Sequence, residues 1–237
     1  MIDGFYILFY LQRVESWYSV TPEKVAQHIA SRCKASDVVI DGFYILFYFQ
    51  RVESWYSVTP EKVAQHIASR CKASDVVIDG FCGCGGNTIQ FAAVCQKVIS
   101  IDIDPAKLRL AQHNASVYGV SHKIQFIQGD FFALAPSLQG DVVFLSPPWG
   151  GPEYARSSFS IDNIFPEQGG GRRLFQVARG ISPNVGYYLP RTSDVFELIP
   201  LAGEGNVCEV EQNFVGRKFV AITAYYGNLV RRKDRAS

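Results

Sequence analysis

The sequence has no excess of charge of either sign. Its 237 residues include 23 basic and 22 acidic side chains, for a formal net charge of +1. Proteins that hold long stretches of nucleic acid present a strongly basic surface, because each phosphate contact needs a Lys or Arg. The balanced charge therefore argues against an extended basic groove. It remains compatible with binding a small nucleotide-like end group, which needs only a few positive residues.

Long apolar runs and paired metal-binding cysteines are also missing. The apolar run Phe5–Leu11 is too short to span a bilayer, and Asp3 stands where a signal peptide would carry positive charge. The six cysteines form no CxxC pair, so we expect neither a metal site nor a disulfide framework. We expect reduced thiols in an intracellular protein without a membrane segment. The 48% hydrophobic content is ample for one packed core.

The first third of the chain contains a tandem repeat. Residues 2–43 recur as residues 40–81, and only Leu11 against Phe49 differs. Two nearly identical copies do not make a solenoid, which needs several diverged units. A recent in-frame duplication or an error in the gene model explains the repeat better. Only the second copy leads into a glycine-rich turn, so we predict a peripheral extra copy at 1–39 and a main domain at 40–237.

The rest of the chain alternates strand and helix patterns. Thr59, Pro60 and Glu61 together predict a helix start, followed by apolar residues at helical spacing. Buried parallel strands are predicted at Asp75–Asp79 and Asp141–Leu145. The remaining predicted helices are Asn87–Cys95, Pro105–Tyr118, Arg172–Arg179 and Asp194–Ile199, and the remaining predicted strands are Lys97–Ile101, Ile124–Gln128 and Val185–Leu189.

The end of the chain follows a different pattern. Two alternating runs, Val207–Phe214 and Lys218–Tyr226, predict a β-hairpin. Repeated βα units followed by such a hairpin predict an α/β fold of the Rossmann-like type, with a seven-stranded, mostly parallel sheet and an antiparallel C-terminal hairpin. The segment Gly150–Gly171 is rich in Gly, Pro and Ser and predicts a long functional loop.

A glycine-rich turn follows the first predicted strand. Asp79 ends the strand, and Gly83 and Gly85 allow the backbone to approach a ligand before a helix begins near Asn87 and Thr88. By itself this pattern is shared by many nucleotide-binding proteins and by ordinary turns. Thr88 stands where the pyrophosphate-binding motif has its third glycine, so the turn does not match that motif.

Acidic residues follow two further strands. Asp102 ends the second strand, where a carboxylate can accept both hydroxyls of a ribose, while Asp104 better suits a helix cap. Asp130 follows the third strand and can accept from an adenine amino group with Phe131 against the ring, or it can simply cap the next helix. Asp79 is wrong for a phosphate and right for a cation, so this set favours S-adenosylmethionine, which carries an ammonium and a sulfonium, over NAD.

The most specific motif is Ser146-Pro147-Pro148-Trp149, at the end of the fourth predicted strand. An exocyclic amine on a nucleobase is planar and weakly nucleophilic, so acceptors must hold it with its lone pair aimed at a methyl group. The Ser146 hydroxyl and the Pro147 carbonyl can do this, and two prolines keep the backbone rigid. Trp149 can stack on the base. These residues predict an amino-methylating enzyme in which positioning replaces a strong base.

Together the motifs resemble the trimethylguanosine synthase family. The resemblance covers about residues 53–235 and is carried by 57–62 (SVTPEK), 82–92 (CGCGGNTIQFA), 101–105 (IDIDP), 144–152 (FLSPPWGGP), 188–191 (YLPR) and 211–214 (EQNF).

The family likeness implies a class I S-adenosylmethionine-dependent methyltransferase that methylates N2 of the m7G cap of small nuclear and nucleolar RNAs. It implies m7G-capped RNA as partner. Nothing in the sequence indicates an obligate dimer, so we expect a monomer, located in the nucleus with the cytoplasm as a second location. Trp149 would stack on m7G, Arg191 would face the cap phosphates, and Thr59 would line the site beside its capping role. The cofactor would be held by Asp79, Gly83, Gly85, Asn87, Thr88, Asp102, Asp130 and Phe131.

The N-terminal region departs from the family pattern. Members carry a helical extension that helps close over the cap, whereas this chain has the duplicated segment there. Two other functions therefore stay open. One is methylation of an internal base in RNA or DNA, and the other is a non-catalytic remnant that binds S-adenosylmethionine or a partner.

Overall fold

The computed structural model describes residues 58–150 and 158–231. The chain divides into two units, Met1–Pro60 and Glu61–Ser237. The predicted extra copy at 1–39 lies outside the described residues, so the predicted domain boundary after residue 39 stays a prediction.

The second unit is built on one seven-stranded sheet with the strand order β3-β2-β1-β4-β5-β7-β6. Strands β1 to β5 are parallel to one another, and β7 runs antiparallel to both β5 and β6. The predicted mostly parallel sheet with an antiparallel hairpin is confirmed. The strands are β1 Val76–Asp79, β2 Lys97–Asp102, β3 Ile124–Gln128, β4 Val142–Leu145, β5 Val185–Pro190, β6 Glu209–Val215 and β7 Lys218–Tyr225.

Helices cover both faces of this sheet. Side chains of α1 and α2 pack on one face, and side chains of α5 pack on the other. Within residues 58–150 and 158–231 the α-helices are α1 Glu61–Ala68, α2 Gly86–Val94, α3 Pro105–Val117, α4 Phe131–Leu134 and α5 Gly170–Ile181.

The central strands are apolar because both of their faces are covered. On β1, Val77 packs against the α1 and α2 side while its neighbour Ile78 packs against the α5 side, and both are fully buried. Alternate side chains of a strand point to opposite faces, so a strand between two helical layers needs an unbroken apolar run. The runs in β1 and β4 have that property, which is why the sequence predicted them.

Helix α3 begins where its sequence indicates. The Asp104 carboxylate accepts a hydrogen bond from the Ala106 amide at 2.8 Å, and Pro105 is the first helical residue. A side chain that accepts from a first-turn amide satisfies a donor that the helix leaves unpaired. The predicted capping role of Asp104 is confirmed.

Two predicted elements differ from the structure. The described part of the expected loop at 150–171 contains two 3₁₀ turns and three buried apolar side chains, Phe159, Ile161 and Ile164. Their spacing has no regular period because they are placed by packing against α5 rather than by one helix face. The predicted helix Asp194–Ile199 is instead two short 3₁₀ turns, Val195–Glu197 and Ile199–Ala202.

An ionic cluster joins the end of α1 to the C-terminal hairpin. The Arg70 guanidinium, only 3% exposed, donates to Glu209 at 2.9 and 3.0 Å and to Glu211 at 3.2 Å. It also lies over the Tyr225 ring, 4.2 Å from the ring centre. His66 adds a contact of 2.8 Å to Glu211. A bidentate pair with a stacked ring holds α1 on the edge of the sheet more firmly than an exposed pair would.

We predict that Arg70→Ala lowers the free energy of unfolding by about 2–3 kcal/mol, since it leaves two carboxylates without their main partner. Urea denaturation followed by circular dichroism measures the change. The exposed Lys72 provides the matched control, because Lys72→Ala should stay within about 0.5 kcal/mol of the parent. An Arg70→Ala protein as stable as the control would contradict an anchoring role for the cluster.

Candidate active site

The predicted site residues of the second unit converge on one edge of the sheet. Because β1 to β5 are parallel, their carboxyl ends lie together. Asp79 ends β1 and Asp102 ends β2. The residues that follow the other strands are Asp130 after β3, Ser146 after β4 and Arg191 after β5. Ligands of open α/β sheets bind at this edge, so the arrangement marks a binding cleft.

The glycine turn after β1 has two different kinds of glycine. Gly83 and Gly85 both have positive φ, at 53° and 90°, which disfavours any other residue. A Cβ added at Gly85 would lie 3.2 Å from the Ala111 backbone, so this glycine permits close packing of α3. A Cβ added at Gly83 would meet no atom within 4 Å. Gly83 therefore borders open space, as expected of a residue that a ligand approaches.

The Asp102 carboxylate fixes the shape of the turn. Its Oδ2 accepts from the Gly83 amide at 2.8 Å, and its Oδ1 accepts from the Asp104 amide at 2.9 Å. One side chain thereby ties the loop after β1 to the loop after β2. Each carboxylate oxygen has two lone pairs, so Asp102 keeps acceptor capacity for a ribose hydroxyl.

Beneath the turn lies a chain of buried hydroxyls. The Thr88 hydroxyl donates to Asp79 Oδ2 at 2.6 Å and lies 2.7 Å from the Ser100 hydroxyl. A hydroxyl has one proton, so Ser100 donates to Thr88, which donates to Asp79. All three side chains are fully buried. The sequence did not single out Ser100, because a serine inside a strand carries no distinctive signal.

Asp79 is the most perturbed acid in the site. Burial raises the pKa of its carboxyl to about 7, against the opposing hydrogen bond from Thr88. Its Oδ1 is buried and has no well-formed hydrogen bond to any described residue, although the backbone amides of Phe81 and Thr88 lie close by. A carboxylate in this position is electrostatically unsatisfied, and a nearby cation would stabilise its charged form.

Asp130 and Phe131 lie at the end of β3. Asp130 Oδ1 accepts from the Phe132 amide at 3.0 Å, so Asp130 does cap the short helix α4. The capping alternative is confirmed, and the adenine contact stays a prediction. Phe131 is 1% exposed and packs beneath Gly80, whose added Cβ would lie 3.0 Å from its ring. Asn87 is buried near the start of α2.

The Ser-Pro-Pro-Trp motif stands between the turn after β1 and strand β5. The Ser146 hydroxyl donates to the Phe81 carbonyl at 3.2 Å, which leaves its oxygen lone pairs to accept from another group. Trp149 is half-buried against Tyr188 of β5, with 5.5 Å between ring centres. Pro147 is buried and Pro148 exposed. The motif therefore presents acceptors and an aromatic face beside the acid-lined turn.

An aromatic cluster that the sequence did not predict adjoins the motif. Phe81 stacks on Phe165 at 5.6 Å, and Phe132 meets Phe165 edge-on at 5.9 Å. Phe165 has φ of 49°, a left-handed conformation that costs a non-glycine residue about 1–3 kcal/mol. Packing against Phe81 and Phe132 holds it there. Phe165 could not be identified from the sequence, because it lies in a segment without periodicity.

Arg191 and Thr59 are the remaining predicted site residues. Arg191 is exposed one residue beyond β5 and makes no ion pair with another described side chain. Thr59 belongs to the unit Met1–Pro60, directly before α1. Its predicted contribution to the site stays a prediction.

The thiol next to the glycine turn is neutral, and the described residues hold neither a candidate metal cluster nor a membrane-spanning helix. Burial raises the pKa of the Cys84 thiol to about 11, so the thiol beside Gly83 is neutral at physiological pH. No group of His, Cys, Asp and Glu within 58–150 and 158–231 could hold a metal ion. No described helix is long and apolar enough to cross a membrane.

Comparison with solved structures places the fold among methyltransferases. A structure assigned as a methyltransferase from Porphyromonas gingivalis W83 matches with a TM-score of 0.61 at 13% identity, covering 74% of this chain and 42% of that one. A tRNA m1G37 methyltransferase from M. jannaschii matches with a TM-score of 0.50 at 20% identity, covering 71% of this chain and 50% of that one. At these identities the likeness shows the fold alone, which is a Rossmann-like α/β fold.

Sequence comparison places the chain more closely. It belongs to the RNA cap guanine-N2 methyltransferase family, whose model matches residues 74–229. Trimethylguanosine synthase from Schizosaccharomyces pombe is 48% identical over 191 residues, covering 78% of this chain and 64% of that protein. Trimethylguanosine synthase from Saccharomyces cerevisiae is 37% identical, covering 78% of this chain and 49% of that protein. The chain thus spans 64% and 49% of the length of these relatives, and the resemblance inferred from the motifs is confirmed.

The raised pKa of Asp79 makes a prediction about stability. Its folded pKa of about 7 lies above the ordinary value of 3.8, so between these values the folded state binds more protons than the unfolded state. The free energy of unfolding should therefore fall as pH rises from about 4 to about 7 and then level off. Asp79→Asn removes the titrating group, so its unfolding free energy should lose this component of the slope.

Urea denaturation at a series of pH values, in the absence of cofactor, measures the slope. The control is Glu204→Gln, which removes an exposed carboxylate and should show the same dependence of unfolding free energy on pH as the parent protein. The slope is the readout, because the substitution itself can shift the overall level of stability. Equal slopes for Asp79→Asn and the parent would show that the pKa of the Asp79 carboxyl is not raised.

Proposed function

We propose that this chain transfers methyl groups from S-adenosylmethionine to the exocyclic N2 amine of an m7G cap on small nuclear and nucleolar RNA, giving 2,2,7-trimethylguanosine. The observation that carries the proposal is the position of Ser146-Pro147-Pro148-Trp149 at the end of β4, bonded through Ser146 to the turn that borders open space at Gly83. Methyl donor and acceptor amine would then lie beside each other at one edge of the sheet. Family membership supports the same reaction.

The acidic edge fits the proposed cofactor. When bound, S-adenosylmethionine supplies an activated methyl group on a positively charged sulfur. Asp79 offers an unsatisfied buried charge to the cofactor's ammonium, and Asp102 offers its remaining lone pairs to the ribose. Thr88 would act by holding Asp79, because its hydroxyl donates to that carboxylate, and Phe131 by supporting Gly80, against which its ring packs. Gly83, Gly85, Asn87 and Asp130 complete the proposed cofactor site.

The acceptor amine would be held by the motif itself. The Ser146 hydroxyl already donates to Phe81, so towards the amine it can only accept, as the Pro147 carbonyl does. Two acceptors that take both amine hydrogens turn the nitrogen lone pair towards the methyl donor. The rigid Pro-Pro backbone keeps that orientation without further entropic cost.

Trp149 would bind the base of the cap. Methylation at N7 makes the guanine ring cationic, and a cation is attracted to the face of an indole. Tyr188 supports Trp149 from below, so the ring is held rather than free to turn. This pairing favours m7G over unmethylated guanine and therefore favours a cap over an internal base.

The remaining residues and properties follow from the family likeness. The exposed Arg191 has no described ion-pair partner and would face the cap phosphates, while Thr59 would line the substrate side. We infer a monomer that binds m7G-capped RNA and acts in the nucleus, with the cytoplasm as a second location. The main domain would begin near residue 40, after the extra copy of the repeat.

Gly83 and Gly119 provide a matched test of the cofactor site. Both have positive φ and both have open space at the Cβ position, so alanine costs each about 1–3 kcal/mol of backbone strain. Only Gly83 lies at the proposed site, whereas Gly119 follows α3 at the opposite edge. We expect Gly83→Ala to weaken S-adenosylhomocysteine binding at least about tenfold, measured by calorimetry, because a methyl group would occupy the approach. Equal affinities for the two variants would reject the proposed site.

The methyl-transfer reaction is tested with m7GTP and GTP as acceptors, with products identified by mass. We expect mono- and dimethylated product from m7GTP and none from GTP. Trp149→Ala should lower kcat/KM for m7GTP by about 30-fold, since a desolvated cation–π contact is worth about 2 kcal/mol.

A protein that binds S-adenosylmethionine but methylates neither nucleotide would exclude the cap reaction for this chain. Methylation of an uncapped structured RNA with no response to m7GTP would instead support the internal-base alternative. An unchanged kcat/KM in Trp149→Ala would remove the proposed stacking role.

A further inference from the structure

The C-terminal hairpin extends beyond the edge of the sheet on which the candidate site lies. Strand β7 pairs antiparallel with β5, and the last pair is Pro190 of β5 with Ala221 of β7. Strand β7 begins at Lys218, so three of its residues extend beyond the end of β5. At about 3.3 Å per residue, the tip projects roughly 10 Å past β5. Because β7 is antiparallel, this is the edge where β5 leads into Arg191.

A bulge near the tip turns two aromatic rings towards one face. The pairing of β6 and β7 shifts at Asn213/Phe214, where Asn213 opposes Ala221 but Phe214 opposes Phe219. The extra residue, Val220, packs with the α1 side, whereas Phe219 packs with the core on the α5 side. Bulges re-aim side chains in this way. Trp149 packs against the cores on both sides of the sheet, including the α5 side on which Phe219 lies.

The outer ring of this pair is exposed although it is stacked on its half-buried partner. Phe214 stacks on Phe219 with 5.3 Å between ring centres and an angle of 27°, yet Phe214 remains 50% exposed. Arg217 is exposed at the turn that joins the two strands. Flat aromatic faces beside a cation suit single-stranded nucleic acid, whose bases stack on such rings without regard to sequence.

We propose that the hairpin tip, formed by Phe214, Phe219 and Arg217, binds the first nucleotides that follow the cap. This inference rests on the proposed function, because it places the RNA by the cap that Trp149 holds. Arg191 lies beyond β5 at the same edge and supplies a positive charge between the two aromatic sites. The balanced charge of the chain agrees with a contact limited to a few nucleotides.

The test compares the binding of m7GTP with that of an m7G-capped oligouridylate by fluorescence anisotropy, in competition with a labelled capped probe. The parent protein should bind the capped RNA more tightly than m7GTP. Phe214→Ala should weaken capped RNA binding at least about fivefold, the lower bound for losing one stacked base, and leave m7GTP affinity unchanged. Phe214→Trp keeps an aromatic face and should retain the affinity, whereas Phe214→Leu keeps only apolar area and should lose it.

Val207→Ala is the matched control for a lost exposed apolar group. Val207 is 52% exposed and precedes β6 at the other end of the hairpin, so its removal should change neither affinity. Arg217→Ala should reduce the slope of log affinity against log salt by about 0.7, the value for one phosphate contact in a single strand. Thermal melting of each variant identifies any loss of fold, which we expect to be small because Phe214 contributes only a cross-strand contact.

Three results would overturn the inference. Capped RNA bound no more tightly than m7GTP by a protein that does bind and methylate m7GTP would remove the hairpin contact and leave the proposed function intact. Equal effects of Phe214→Ala and Val207→Ala, or full retention in Phe214→Leu, would show an apolar surface that serves another partner. Failure of the parent protein to bind either ligand would reject the cap reaction and the hairpin contact together.

Discussion

The pairing of β1 between β2 and β4 is the constraint on which the rest of the structure depends. These strands are parallel and covered by helices on both faces, so their carboxyl ends meet at one edge and nowhere else. Residues separated by 67 positions, Asp79 and Ser146, reach that edge because each ends or follows one of these strands. The Asp102 carboxylate then joins the loops after β1 and β2 through the Gly83 and Asp104 amides. The backbone of the cleft is thus fixed before any ligand arrives.

Electrostatics distinguish this cleft from a phosphate site. A dinucleotide-binding turn presents amides to a negative ligand. Here Asp79 lies directly beneath the turn, and burial disfavours the charged form of its carboxyl and raises its pKa to about 7. The Ser100–Thr88–Asp79 hydrogen-bond chain keeps the carboxylate in place, and its second oxygen lacks a well-formed bond within the described residues. Such a site favours a cationic ligand, because the gain from neutralising a buried charge exceeds the gain from any neutral contact.

The C-terminal hairpin, β6 and β7, is held in place by a separate ionic cluster. The antiparallel strands β7 and β6 extend the sheet beyond β5, and Arg70 anchors them to α1 through Glu209, Glu211 and Tyr225. This anchor lies at the open end of the hairpin, where β6 begins and β7 ends, while the bulge and the exposed Phe214 lie at its tip. A hairpin fixed at one end can project its tip past the sheet without losing register. The hairpin can therefore form the edge of the sheet and also present a surface beside the cleft.

The sequence by itself determined which elements follow one another along the chain. The apolar runs of β1 and β4, the Asp104 cap of α3, the hairpin and the motif at Ser146 could all be predicted. Periodicity, capping and rigid Pro-Pro turns are local properties, so a sequence displays them directly. Only the tertiary structure decided the rest. Ser100, Phe165 and Arg70 act through partners far away in the chain, and no local pattern marks such contacts. Likewise, the two proposed roles of Asp130 look alike in sequence, and its bond to the Phe132 amide showed that it caps α4. Burial and pairing arise only when distant segments pack, so the pKa of Asp79 and the exposure of Phe214 were fixed by the fold.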